Sequence, residues 1–193
     1  HIGLDVFVYL SPVNLNVDHF GLFGIGIYTS GYPVIESHSN GNKHITIVGV
    51  DIIEEAAEAT ERDRPNLYDH YYVEDMNNLS EQSEEELKAT PFNCMVCVAA
   101  LGFGDIPPDV FANAYNFIAN DGWIAFTIKK DFVNKHEDNT GFSKLIKNLT
   151  EDGGLDIQVK HPYRHRLSVD GKPLEYLAIV GKKRTDIPQY MLQ

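Results

Sequence analysis

From residue 45 onward, short runs of β-branched and apolar residues alternate with stretches whose apolar positions recur every three or four residues. ITIVGV (45–50) has the continuous apolar character of a strand buried on both faces, and 53–62 reads as a helix closed off before Pro65. YDHYYVED (68–75) holds a short strand that ends on two acids. In SEQSEEELKAT the spacing Ser83-x-x-Glu86 is that of a capping box and predicts a short acidic helix. NCMVCVAAL is the next strand. GDIPPDVFANAYNFIANDG carries its prolines where a first helical turn tolerates them, and lines Val110, Phe111, Ala114, Phe117 and Ile118 on one face. WIAFTI follows Gly122 as a strand, and Phe142, Leu145, Ile146 and Leu149 mark a further amphipathic helix stopped at Gly153-Gly154. LDIQVKH, HRLSV, an Asp170-Gly171 turn and LEYLAIVGKK then read as an antiparallel hairpin.

Alternating strands and helices predict an α/β fold, a Rossmann-like three-layer sandwich with a mostly parallel sheet and an antiparallel strand from the C-terminal hairpin. At 193 residues and 43% hydrophobic, the chain fits one domain, 1–193. No apolar run reaches the roughly 18 residues of a membrane span. The net charge is −12, and the only basic cluster is Lys182-Lys183-Arg184, which argues against a duplex nucleic-acid partner. Cys94 and Cys97 lie three apart in a predicted strand and so face opposite sides, as two core thiols and not a metal or redox pair. Free thiols fit a reducing, cytoplasmic setting. No metal site is expected.

In an open α/β sheet, ligands bind beyond the carboxyl ends of the strands. Asp51 stands there, directly before a helix. It reads either as a helix N-cap or as a carboxylate accepting hydrogen bonds from a ribose diol. Asp75 ends the next strand, where it suits the exocyclic amine of an adenine, with Met76 packing on the ring. With small residues (Ala99, Ala100) ending the third strand, these positions describe a nucleoside cradle.

VGVDI, RPNLYDHYYVEDMNNL, FNCMVCVAALGFGDIPPDVFANAYNFIANDGWIAFTIKKDF and YRHRLSVDGKPLEYLAIVGKK resemble the class I S-adenosylmethionine-dependent methyltransferases, across about residues 45–184. The nearest likeness is to the Williams–Beuren-region methyltransferase-like branch. The resemblance implies a seven-stranded sheet with S-adenosylmethionine as cofactor and S-adenosylhomocysteine as product. It matches Asp51 to the ribose acid, Ile52 to the residue beside the adenine, and Asp75 and Met76 to the adenine pair. Ala100 and Leu101 match the segment lining the methionine side, and Gly21 the last glycine of the cofactor loop. Phe103, Asp105, Tyr163 and His165 are expected on the side of a small-molecule acceptor, with His165 able to act as a base or simply to lie on the hairpin surface.

The glycine-rich loop departs from the family pattern. In PVNLNVDHFGLFGIGIYTSGYP, Val17 and His19 fall on the two earlier glycine positions, where backbone must approach the cofactor closely. A second register makes LDVFVYL the first strand and SPVNLNVDHFG a remodelled loop. ESHSNGNKH (36–44) reads as a loop insertion. The expected function is methyl transfer to a small molecule. The alternative is a catalytically inactive scaffold on the same fold. An NAD-dependent oxidoreductase is disfavoured by the missing GxGxxG ahead of Asp51.

Overall fold

The computed structural model describes residues 47–63, 65–102, 106–134 and 138–193. Strand β1 (Val48–Asp51) leads to helix α1 (Glu54–Asp63), β2 (His70–Val73) and α2 (Glu81–Ala89). Then come β3 (Cys94–Leu101), α3 (Pro108–Asn116), β4 (Trp123–Lys129), α4 (Phe142–Glu151), β5 (Leu155–Leu167) and β6 (Pro173–Lys183). β1 and β2 form a parallel pair, with Asp51 opposite Val73. The other strands form one sheet in the order β3-β4-β6-β5, parallel between β3 and β4 and antiparallel on both sides of β6.

The alternating elements and the antiparallel C-terminal hairpin are as the sequence predicts. The strand count is not. Among the described residues there are six strands in two sheets, where a single seven-stranded sheet was expected. Both candidate first strands, the loop insertion at 36–44 and Gly21 lie in residues 1–46, outside the described residues.

The main core lies on one face of the larger sheet. Ile124, Phe126 and Ile128 of β4 and Leu177 and Ile179 of β6 are buried with Phe111 of α3 and Phe142, Leu145 and Leu149 of α4. Their alternation along β4 and β6 is the period of two that sends successive side chains to opposite faces. The Phe111 ring meets Phe126 and Phe142 edge-on at centroid distances of 5.3 and 5.9 Å. The opposite face carries a smaller cluster of Cys94, Trp123 and Val180, while Cys97 belongs to the main core. The two thiols therefore do face apart, and burial pushes both up to about 12.

The predicted capping box shifts by one turn. Ser80 is the N-cap, its hydroxyl accepting from the Ser83 amide at 3.2 Å, and Ser83 is the third residue of α2. Glu74 causes the shift. Its carboxylate accepts from the Ser80 amide (2.7 Å), the Ser80 hydroxyl (2.9 Å) and the Ser83 hydroxyl (2.5 Å), so an acid upstream of α2 does what Glu86 was expected to do from within it. Glu86 instead accepts from Tyr72 and Gln82.

α3 ends at an ammonium. Lys183, 1% exposed, donates to the carbonyls of Tyr115 (3.1 Å), Asn116 (3.2 Å) and Ile118 (2.5 Å) and pairs with Asp186 at 2.5 Å. A cation at a helix C-terminus meets both the orphan carbonyls and the negative end of the helix dipole. Lys183→Met keeps the aliphatic stem but takes this donor from the Asn116 and Ile118 carbonyls, while Tyr115 keeps the Ile118 amide. It should cost about 2–4 kcal/mol in urea denaturation. Asp186→Asn, on a side chain 68% exposed, should cost under about 1 kcal/mol.

Candidate functional site

The two acids singled out in the sequence stand at the carboxyl ends of the paired strands β1 and β2. Asp51 is 6% exposed, and its Oδ1 accepts from the Ile53 amide at 2.9 Å. α1 begins only at Glu54, so Asp51 does not occupy the N-cap position; it closes a local turn from side chain to backbone. Asp75 repeats the device. Its Oδ1 accepts from the Asn77 amide at 2.8 Å, and its carbonyl accepts from Asn78 at 2.8 Å. Each carboxylate is thus oriented through one oxygen by the amide two residues on. The strand ends are joined as well, because the Glu74 amide donates to the Asp51 carbonyl at 2.9 Å.

Around these acids exposed aliphatic side chains stand among exposed polar ones, Glu54, Glu55, Asn77 and Asn78. Ile52 (67% exposed), Ile53 (47%) and Val73 (41%) present uncovered aliphatic side chains at the end of the parallel pair. Met76 is half-buried and packs against the main core. The Asp75-Met76 turn is clamped to α3: Asn113 Nδ2 donates to the Met76 carbonyl (3.1 Å) and to Asn77 Oδ1 (2.8 Å), and Asn77 Nδ2 donates to Asp109 Oδ2 (3.0 Å). Sequence reasoning missed these three residues. The available signal was slight, two polar residues four apart on α3 and hence on one face. A cleft of about 440 Å³ opens between this turn, α2 and α3. Its Asn113 and Asn116 amides are already bonded to backbone, and we assign it no ligand.

The third strand end differs from expectation. Ala100 and Leu101 are 1% and 2% exposed, within the core, so neither side chain faces an open site. The chain folds back on itself there: the Ile106 amide donates to the Ala100 carbonyl (3.2 Å) and the Gly102 amide to the Ile106 carbonyl (3.1 Å). Gly102 has φ +83°, and a Cβ there would lie 2.5 Å from Phe132 Cε2, so glycine is required twice over. Phe103 and Asp105 fall outside the described residues.

Tyr163 and His165 come together on β5. Tyr163 is in register with Tyr176 of β6, which is in register with Lys129, the last residue of β4. They therefore sit toward the carboxyl ends of the parallel strands β3 and β4. The His165 ring lies 4.5 Å from Tyr176 and 6.1 Å from Tyr163, between centroids. Burial, and then the neighbouring Arg166, hold the imidazole below its usual value. It is neutral at pH 7 and able to take a proton. Burial raises the Tyr163 phenol. The structure places the two acids at the end of one sheet and the aromatic pair at the end of the other.

Among the described residues, no three His, Cys, Asp or Glu side chains gather as a metal site would need. No helix among them is long and apolar enough to cross a membrane.

No family model matches the chain, and no curated protein matches it. Solved structures do. The N-methyltransferase NodS from Bradyrhizobium japonicum is 15% identical, with a TM-score of 0.47 over 72% of this chain and 74% of that one. A SAM-dependent methyltransferase from Methanosarcina mazei is 14% identical, with a TM-score of 0.49 over 72% of this chain and 82% of its own. TehB from Haemophilus influenzae is 13% identical, with a TM-score of 0.45 over 72% of this chain and 50% of that one. None of these three is described as a Williams–Beuren-region protein. At this distance the likeness carries no argument about chemistry, and the functional reading rests on the strand ends.

Glu74 supplies a pH test of the frame behind Asp75. The Ser83 hydroxyl first, then the Ser80 amide, hold its carboxyl below the ordinary 4.5. A depressed folded value contributes stability above the unfolded pKa that is lost as pH falls through the folded one. Glu74→Gln should therefore be less stable than wild type at pH 7. The gap should close as urea melts are carried from pH 5 to pH 3.

Proposed function

We propose that the carboxyl ends of β1 and β2 bind the nucleoside of S-adenosylmethionine, and that the protein transfers its methyl group to a small-molecule acceptor. The observation that supports this is the repeated acid. Two neighbouring parallel strands each end on a carboxylate oriented by the amide two residues on, with exposed Ile52 directly after the first and Met76 directly after the second.

Asp51 would accept from the ribose hydroxyls, and Asp75 from the exocyclic amine of adenine. Ile52 and Met76 would supply apolar contact to the ring. With their side chains in the core, Ala100 and Leu101 could contribute only backbone to the methionine side. Gly21, Phe103 and Asp105 enter this reading through the family resemblance alone, as does the Williams–Beuren-region branch. When bound, the cofactor supplies a sulfonium methyl: an acceptor lone pair forms the new bond to carbon while the C–S electron pair stays on sulfur. The chain's own part is to hold donor and acceptor in line and to exclude water. His165, neutral and half-buried, would take the proton that the acceptor releases. The buried thiols accord with a cytoplasmic setting.

Calorimetric titration with S-adenosylhomocysteine tests the reading. Wild type should bind in the micromolar range, and Asp51→Ala and Asp75→Ala should each weaken binding by about tenfold or more. A folded wild type that binds none would show that Val17 and His19, at the glycine positions of the loop, close the site. The inactive scaffold would then be the correct reading.

A further inference from the structure

The C-terminal hairpin reverses the charge of the chain. Residues 160–172 hold Lys160, Arg164, Arg166 and Lys172 against the single acid Asp170, three positive charges in excess within a chain of net charge −12. β5 is the edge of its sheet among the described residues. Charges, a proline (Pro162) and bulges are common ways to keep an edge strand from pairing with a stranger. β5 carries all three, with irregularities between Ile157 and Val159 and between Arg164 and Arg166.

Edge protection does not account for how the residues divide between the faces. Lys160 and Arg164 oppose Ile179 and Glu175, and the Arg164–Glu175 pair is of opposite charge across the strands. Arg166 opposes Leu174, two residues from Tyr176, and so lies on the face that carries the Tyr163, His165 and Tyr176 rings. His161, opposite Ala178, shares that face. Arg166 is exposed and makes no ion pair among the described residues. His165 Nδ1 is shielded from solvent with no hydrogen-bond partner among the described residues. The aromatic trio, Arg166 with no ion pair among the described residues, and the unmet imidazole nitrogen thus share one face toward the carboxyl end of the sheet.

Resting on the methyltransferase reading, we propose that this face is the acceptor subsite and selects a planar ring bearing an acidic group, a carboxylate or a phosphate. The ring packs on half-buried Tyr163, with the buried Tyr176 ring beside it as support. Arg166 takes the acidic group, as a planar guanidinium suits either anion. The His165 imidazole faces the ring substituent that is methylated. The acidic remainder of the chain repels anions elsewhere, so the basic strip directs them here.

The test is calorimetry on the full chain with phenyl phosphate, benzoate and benzylamine, each with and without S-adenosylhomocysteine. Both anions should bind and benzylamine should not. Arg166→Gln should weaken phenyl phosphate by about tenfold or more, while Arg164→Gln, on the other face, should change it by less than about twofold. Arg166 is exposed, so an unchanged melting midpoint would confirm that the variant is folded. Benzylamine binding as well as the anions, or no effect of Arg166→Gln, would overturn the proposal. So would equal losses in the two variants, or a thymidine decamer outbinding phenyl phosphate, which would mark a strip for single-stranded nucleic acid. Anion binding that persists where S-adenosylhomocysteine does not bind would defeat the transferase reading and leave an anion site without that chemistry. S-adenosylhomocysteine binding without anion binding would defeat this proposal alone.

Discussion

A single ammonium holds the two ends of the chain's core together. Lys183 sits at the end of the last strand, yet its three hydrogen bonds go to the end of α3, well over sixty residues earlier. Those carbonyls belong to the last turn of a helix and to the residues just past it, where the ladder of intrahelical amides runs out. Tyr115 alone also accepts from a backbone amide, that of Ile118 at 3.1 Å. Burying a charge is unfavourable unless it is fully bonded, and here it is met by three carbonyls and a carboxylate. The backbone agrees with the side chain. The Asp121 amide donates to the Lys183 carbonyl at 2.7 Å, and the Lys183 amide donates to Gly122 at 2.9 Å. Together with the buried face of α3 and the bonds from Tyr115 to Gly154 and from Asn116 to Ile187, this junction positions α3 over the sheet.

What α3 holds at its other side is the Asp75-Met76 turn. The chain thereby sets a carboxylate at a strand end without making that carboxylate part of the scaffold. Glu74 takes the structural duty, bonding three groups at the start of α2, and Asp75 keeps a single bond to its own turn. Two adjacent acids of similar chemistry are separated in role by where their hydrogen bonds go. Asp51, like Asp75, is turned by the amide two residues further along its own chain.

The strands, the helices and the two acids were legible because they rest on periodicity and on position relative to a strand, both local properties of the sequence. Cys94 and Cys97 were legible for the same reason: three residues along a strand must face apart. The capping residue of α2 was not, because Ser83-x-x-Glu86 has the capping-box spacing and Ser80 does not; Glu74, from the preceding turn, supplies the carboxylate that Ser80 lacks at its own third position. Asn77, Asp109 and Asn113 were not, because their pairing depends on how close α3 approaches a loop more than thirty residues away. Ala100 and Leu101 were read as lining a site, since a small residue at a strand end looks the same whether it makes room for a ligand or for the core. Both side chains lie in the core, next to the chain reversal at Gly102.

The Asn113 side chain has a mechanical consequence. Its one amide nitrogen bridges the Met76 carbonyl and the Asn77 side chain, so the Asp75-Met76 turn and α3 move as one piece. Because α3 ends on Lys183, that turn is linked through the helix and the buried ammonium to β6. β6 is the strand on which the aromatic face of the hairpin is built. The acid at the end of one sheet and the strand bearing the rings of the other are thus joined by one unbroken run of hydrogen bonds and helix, whose last link is a buried lysine.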